Sequence, residues 1–225
     1  MRYRALATDY DGTLASHGSV APETVAALRR LAGTGRKLIL VTGRRIDDLI
    51  QVFPEVAIFD RVVAENGPLI YRPPSRETRV LSDPPPAAFV EELRRRGVQP
   101  LTAGRVFVAT EQPNDGIVLD VIRDLGLELQ VILNKGAVMV LPAAVNKATG
   151  LRAALDELAL SPRNVVGVGD AENDEPFLLM CGCGVAVANA LDSLKARADH
   201  VTMGAEGAGV REVINSLIAA DRCES

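Results

Sequence analysis

Polar punctuation falls at regular places in an otherwise apolar chain. Residues 3–8 are mostly apolar without strict alternation, the pattern of a parallel strand covered on both faces, and they end at Asp9. After a turn containing Gly12, Pro22 marks a helix start, and Val25, Leu28 and Leu31 recur at helical spacing until Gly33 and Gly35 stop it. A second buried strand over residues 37–41 runs into Thr42-Gly43-Arg44 and a helix through Leu49; a third, over 61–64, ends in Glu65-Asn66-Gly67. Strand, polar turn, helix, strand is the grammar of a doubly wound sheet, in which ligands bind beyond the carboxyl ends of the strands. The polar clusters fall at that edge.

From Pro68 the pattern changes. Prolines gather at 73, 74 and 84–86, and apolar runs at 69–71, 105–109, 128–132 and 137–141 alternate with helical stretches at 87–96 and 115–125, enough for a small insert with its own sheet. The first grammar resumes with a helix from Lys147 whose stripe is Leu151, Ala154, Leu155 and Leu158, then a strand over 164–168 ending at Gly169-Asp170. A short helix, a strand over 184–188 and an amphipathic last helix carrying Val210, Val213, Ile214, Leu217 and Ile218 complete it. The predicted fold class is α/β: a doubly wound parallel-sheet, Rossmann-like core domain (1–67 and 145–225) interrupted by a smaller α+β cap domain (68–144).

Composition narrows the function. The 225 residues suit one large domain or a core with an insert, and Lys+Arg 25 against Asp+Glu 29 gives a net charge of -4, which disfavours a nucleic-acid binder. No apolar run approaches the roughly 18 to 20 residues of a membrane span, and the amino terminus lacks a signal-peptide stretch, so a cytoplasmic protein without membrane attachment is expected. Cys181, Cys183 and Cys223 lack the spacing of a zinc site and read as buried reduced thiols; His17 and His200 are too few for a histidine cage or triad. Any metal should be a hard ion held by carboxylates.

Four clusters carry chemistry. In Asp9-Tyr10-Asp11-Gly12-Thr13, two carboxylates at i and i+2 beyond a strand end can converge on one cation, one serving as nucleophile and the other as acid or base. In Thr42-Gly43-Arg44, a hydroxyl and free backbone N–H groups at a strand-to-helix turn can hold phosphate oxygens, although alone such a turn is more often a helix cap. Lys147 lies four residues before Leu151 and so begins an inward stripe that reaches the sheet edge. In Gly169-Asp170-Ala171-Glu172-Asn173-Asp174, the two aspartates four apart share a side if the turn coils at once into a helix; Asn173 adds an amide for phosphate or for fixing the lysine. An acidic helix start explains the charge there, but not why the turn falls at the same edge as Asp9 and Thr42.

In this order and at these strand ends, the four clusters resemble the haloacid dehalogenase superfamily of aspartate-nucleophile phosphatases across nearly the whole chain. The insert, the Glu65-Asn66-Gly67 turn and the later run 184–190 with Ala198-Asp199 are similar to the Cof-like subgroup with a type-IIB cap, which includes sugar-phosphate and phosphoglycolate phosphatases; residues 9–15 and Asp174-Glu175 also look like trehalose-phosphate phosphatases. The resemblance implies Asp9 as nucleophile and Asp11 as acid and base. It implies Mg2+ held by Asp9, the Asp11 carbonyl, Asp170 and Asp174, and phosphate held by Thr42, Gly43, Lys147 and Asn173. Arg44 would assist or brace the loop, and the cap would close over the edge. The partner is then a small phosphorylated metabolite, and the protein a monomer or homodimer. Two other readings stand beside hydrolysis: phosphotransfer as in phosphomutases, and a non-catalytic metabolite-binding domain.

Overall fold

The computed structural model describes residues 2–134 and 136–223. In chain order it contains β1 (Ala5–Asp9), α1 (Pro22–Ala32), β2 (Lys37–Val41), α2 (Ile46–Val52), β3 (Arg61–Ala64), β4 (Leu69–Arg72) and β5 (Glu77–Val80). Then come α3 (Ala87–Arg95), β6 (Thr102–Ala103), β7 (Val108–Glu111), α4 (Asp115–Asp124), β8 (Leu129–Asn134) and β9 (Ala137–Pro142). The chain continues through α5 (Lys147–Glu157), β10 (Val165–Gly169), α6 (Glu175–Met180), β11 (Cys183–Ala186), α7 (Asp192–Lys195), β12 (His200–Val201) and α8 (Glu206–Cys223).

The chain divides into two compact units, Met1–Arg79 with Asn146–Ser225, and Val80–Val145. The first holds a sheet of order β12-β11-β10-β1-β2-β3-β4-β5, parallel from β12 through β3. Every residue of β1 and β10 is buried, which is why their sequences show no alternation. Connections from β1 run to β2 and β3 on one side, while β10, β11 and β12 extend the sheet on the other. A doubly wound sheet opens a crevice at such a reversal, beyond the strands' carboxyl ends. The α/β architecture is as expected.

The second unit is a four-stranded sheet, β6-β7-β9-β8, whose core gathers Phe89, Leu93, Val98, Val118, Val121 and Val140. Its expected start at 68 needs correction. The turn after β3 reverses the chain, so β4 returns antiparallel beside it (Val63 opposite Ile70), and β5 extends the same sheet. The prolines at 73 and 74 occupy the turn between β4 and β5 and do not mark a boundary. The run 105–109 was also expected as a strand. Val106 and Phe107 are buried in a bend and the ladder begins at Val108, since burial alone makes a segment apolar.

Candidate active site

Asp9 is the last residue of β1, held between Val41 on β2 and the β10 strand. Lys147, the first residue of α5, is only 3% exposed; its Nζ lies 2.6 Å from Asp9 Oδ1 and 2.5 Å from Asp174 Oδ1. An ammonium at the positive end of a helix is disfavoured unless carboxylates answer it, and these two do. The helix start is fixed by a reciprocal cap: the Asn146 side chain accepts from the Ala148 and Thr149 N–H groups, and Thr149 Oγ1 accepts from the Asn146 N–H.

Asp170 and Asp174 come together, but not as one helix face. A single 3-10 turn over Glu172–Asp174 intervenes, and Asp174 Oδ2 folds back to accept the N–H groups of Asp170 (2.9 Å) and Ala171 (3.0 Å). Gly169 makes room for this, since a β-carbon there would sit 2.6 Å from Asp174 Cβ. Thr13 Oγ1 donates to Asp170 Oδ1 at 2.9 Å, tying the first loop to the last. Oxygens of Asp9, Asp170 and Asp174 lie within 4.8 Å of one another, and all three residues are buried.

With all three carboxylates ionised around one ammonium, this pocket would hold two negative charges in excess. Burial pushes Asp9 up to about 8, the Asp174 carboxylate adds to that, Lys147 opposes it and Asp170 adds again. Burial draws the Lys147 ammonium down, yet the Asp174 and Asp9 carboxylates and their hydrogen bonds hold it above an ordinary lysine. An all-oxygen, hard, doubly negative donor set fits a divalent cation such as Mg2+. The second oxygen of Asp9 has no hydrogen bond to any described residue, which leaves it open to such an ion or to a reacting atom.

The Asp11 carboxylate does not join the trio. Arg44 holds it bidentately, Nε to Oδ2 and Nη2 to Oδ1, both 2.6 Å. Gly12, at φ +87°, turns the chain, and its carbonyl accepts from the Asn189 amide at 2.7 Å. Thr42 is buried, but its N–H is committed to the Val63 carbonyl (2.8 Å), and its Oγ1 accepts the Arg44 N–H (3.1 Å). Of residues 42–44, the Gly43 N–H alone remains without a partner among the described residues.

Asn173 makes no hydrogen bond to Lys147. Its Nδ2 donates to Asn66 Oδ1 at 3.0 Å, while its own Oδ1 is buried with no partner. A buried acceptor without a partner is costly, so this oxygen marks a polar position that the fold alone does not satisfy. Asn66 is a residue that sequence reasoning placed in a turn but not in the site. It stands at φ +62° between Glu65 at +56° and Gly67 at +129°, and it packs on Gly43, where a β-carbon would meet its amide at 3.3 Å. An Asn-Gly pair at a strand end was the available signal for that backbone.

Cys181 and Cys183 are free thiols, and burial pushes Cys181 up to about 12 with Cys183 contributing, so neither has the lowered pKa of a reactive cysteine. The Cys223 side chain lies outside the described residues.

A family model described as haloacid dehalogenase-like hydrolase matches residues 6–94 and 120–214, which include Asp9, Asp11, Thr42, Gly43, Arg44, Asn66, Lys147, Asp170, Asn173 and Asp174. The chain belongs to this family. A phosphoglycolate phosphatase of Methanothermobacter thermautotrophicus is 31% identical over 224 residues, covering 96% of this chain and 99% of the relative. Among solved structures, a haloacid dehalogenase-like hydrolase from Bacteroides thetaiotaomicron superposes with a TM-score of 0.81 at 20% identity, covering 96% of this chain and 99% of the other. A sugar phosphatase of haloacid dehalogenase subclass IIB gives 0.77 at 18%, covering 95% and 98%. The expected family agrees with the family model and the relative, the solved structures share the fold, and a hydrolase of phosphate esters agrees with the phosphatases among the relatives. No helix among the described residues is long and apolar enough to cross a membrane.

Proposed function

We propose that this protein is a Mg2+-dependent phosphatase that hydrolyses a small phosphorylated metabolite, phosphoglycolate or a sugar phosphate, through an aspartyl-phosphate on Asp9. The observation that carries the reading is the buried Asp9 at the end of β1, with Lys147 bridging it to Asp174 and Asp170 within 4.8 Å. The phosphoglycolate phosphatase relative, matched along its whole length, supports the substrate class.

Asp9 attacks phosphorus in line, and the bond to the leaving oxygen breaks as that oxygen takes a proton from Asp11. Asp11, now a carboxylate, removes a proton from water; the water oxygen attacks the aspartyl-phosphate, releasing phosphate and restoring Asp9. Lys147, the Thr42 hydroxyl, the Gly43 N–H and the Asn173 amide hold the phosphate oxygens where charge collects. Asp9, Asp170 and the Asp11 carbonyl would hold Mg2+, with Asp174 in support. When bound, the ion neutralises the phosphate for attack by an anion.

The test is phosphate release with Mg2+ across phosphoglycolate, hexose and pentose phosphates, trehalose phosphate and nucleotides, with Asp9→Asn as control. Turnover abolished by Asp9→Asn is the expected result. Phosphate moved to a second hydroxyl would favour the mutase reading, and no turnover of any ester with metal bound would overturn the phosphatase reading in favour of the mutase or the binding domain.

A further inference from the structure

Arg44 is a charged side chain at this edge to which the chemistry above gives no task. Its position is built: Nε and Nη2 are fixed on Asp11, and the guanidinium carbon stands 5.2 Å from the centroid of the Tyr10 ring. Tyr10 is fully buried, packs on Phe53 with ring centroids 5.7 Å apart, and donates its hydroxyl to the Gly18 carbonyl at 3.0 Å. The platform under the guanidinium is therefore rigid, which lowers the entropic cost of using Arg44 to bind a ligand.

A guanidinium presents two forks of parallel N–H groups. Asp11 occupies the Nε/Nη2 fork. The Nη1/Nη2 fork makes no hydrogen bond to any described residue, and the side chain is 29% exposed. If Asp11 passes a proton to the leaving oxygen, the guanidinium on Asp11 lies beside that oxygen and within reach of what its carbon carries. In an ester of a two-carbon hydroxy acid, a carboxylate is bonded to that same carbon. An alcohol of the same length offers nothing for the second fork to hold.

We propose that Arg44 is a substrate-binding residue whose second fork takes a carboxylate on the leaving group, so that the site selects phosphate esters of small hydroxy acids over those of neutral alcohols of equal length. This rests on the reading of Asp9 and Asp11 given above and adds a selection rule to it.

The experiment compares 2-phosphoglycolate with ethyl phosphate on the wild type, Arg44→Gln and Arg44→Lys. One charge-assisted fork corresponds to roughly a 10- to 100-fold change. The wild type should favour phosphoglycolate by that factor in kcat/KM. Arg44→Gln should raise KM for phosphoglycolate by about the same factor while moving KM for ethyl phosphate less than about threefold. Arg44→Lys, which keeps the charge without the fork, should fall between. Any kcat lost because Asp11 loses its support is common to both substrates and cancels in their ratio, which separates recognition from positioning.

A second readout needs no turnover: the Asp9→Asn protein with Mg2+ is titrated with each ester, and adding Arg44→Gln should weaken only phosphoglycolate. An unchanged ratio, or an equal loss of affinity for both esters, overturns the proposal. No phosphate release by the wild type from these esters or from the sugar phosphates and nucleotides above would refute the phosphatase reading instead, and the titration would still decide the role of Arg44.

Discussion

Binding of Mg2+ should expel a proton from the buried carboxylate cluster. Asp9, at about 8 in the cation-free protein, is mostly protonated near neutrality, because one ammonium cannot neutralise three buried carboxylates. A group with that pKa carries about 0.9 of a proton at pH 7 and about 0.1 at pH 9, and a divalent ion requires it ionised. Apparent Mg2+ affinity should therefore rise about tenfold per pH unit up to pH 8 and flatten above. The assay is calorimetric titration of Mg2+ at pH 7 and pH 9 in buffers of different ionisation enthalpy, whose slope counts protons. Asp9→Asn should remove the release. The folded value lies above the unfolded 3.8, so the protonated group stabilises the cation-free fold fully below pH 4, and that contribution is lost as pH rises through about 8. Binding at pH 7 with the same heat in every buffer would refute the charge argument.

Three further outcomes follow from the structure. Lys147→Met, which leaves Asp9 and Asp174 without their shared cation, should lower kcat by about 100-fold or more in a phosphate-release assay. Gly67→Ala should destabilise the protein by about 3 kcal/mol in urea unfolding, since φ is +129° and the new β-carbon would sit 2.1 Å from the Asn146 carbonyl oxygen. Glu157 accepts from Arg61, Arg72 and Arg79, and hydrogen bonding to Arg72 first, opposed by burial and helped by Arg61 and Arg79, brings it down to about 2. Its folded value lies below the unfolded one, so its contribution is present above pH 4.5 and lost as pH falls toward 2. Denaturation curves of Glu157→Gln and the wild type should differ at pH 7 and converge in acid.

The site was legible where chemistry follows a buried strand. Asp9, Thr42, Glu65-Asn66-Gly67 and Asp170 each terminate an apolar run, and a doubly wound sheet gathers such ends on one edge. Lys147 was legible from helical spacing alone. What escaped depends on partners remote in sequence. β5 is largely exposed and polar, so it has no hydrophobic signal; it is held by its neighbour β4 and by Arg79 on Glu157. β12 spans only two exposed residues. The Asp11–Arg44 fork and the Asn66–Asn173 pair join side chains 33 and 107 positions apart, and no local pattern encodes either.

The pairing of β1 with β10 also fixes when, during synthesis, this protein can work. Ala5 lies opposite Val165, and the ammonium that answers Asp9 comes from residue 147. At roughly 5 to 20 residues per second, a ribosome takes on the order of ten seconds to deliver β10 after β1 has emerged. Throughout that interval β1 lacks one of its two flanking strands. The unit Val80–Val145, contiguous in sequence and with its own core, can fold while the rest of the chain waits. A nascent chain stopped before α5 therefore carries the first aspartate without the lysine and the two later aspartates that surround it.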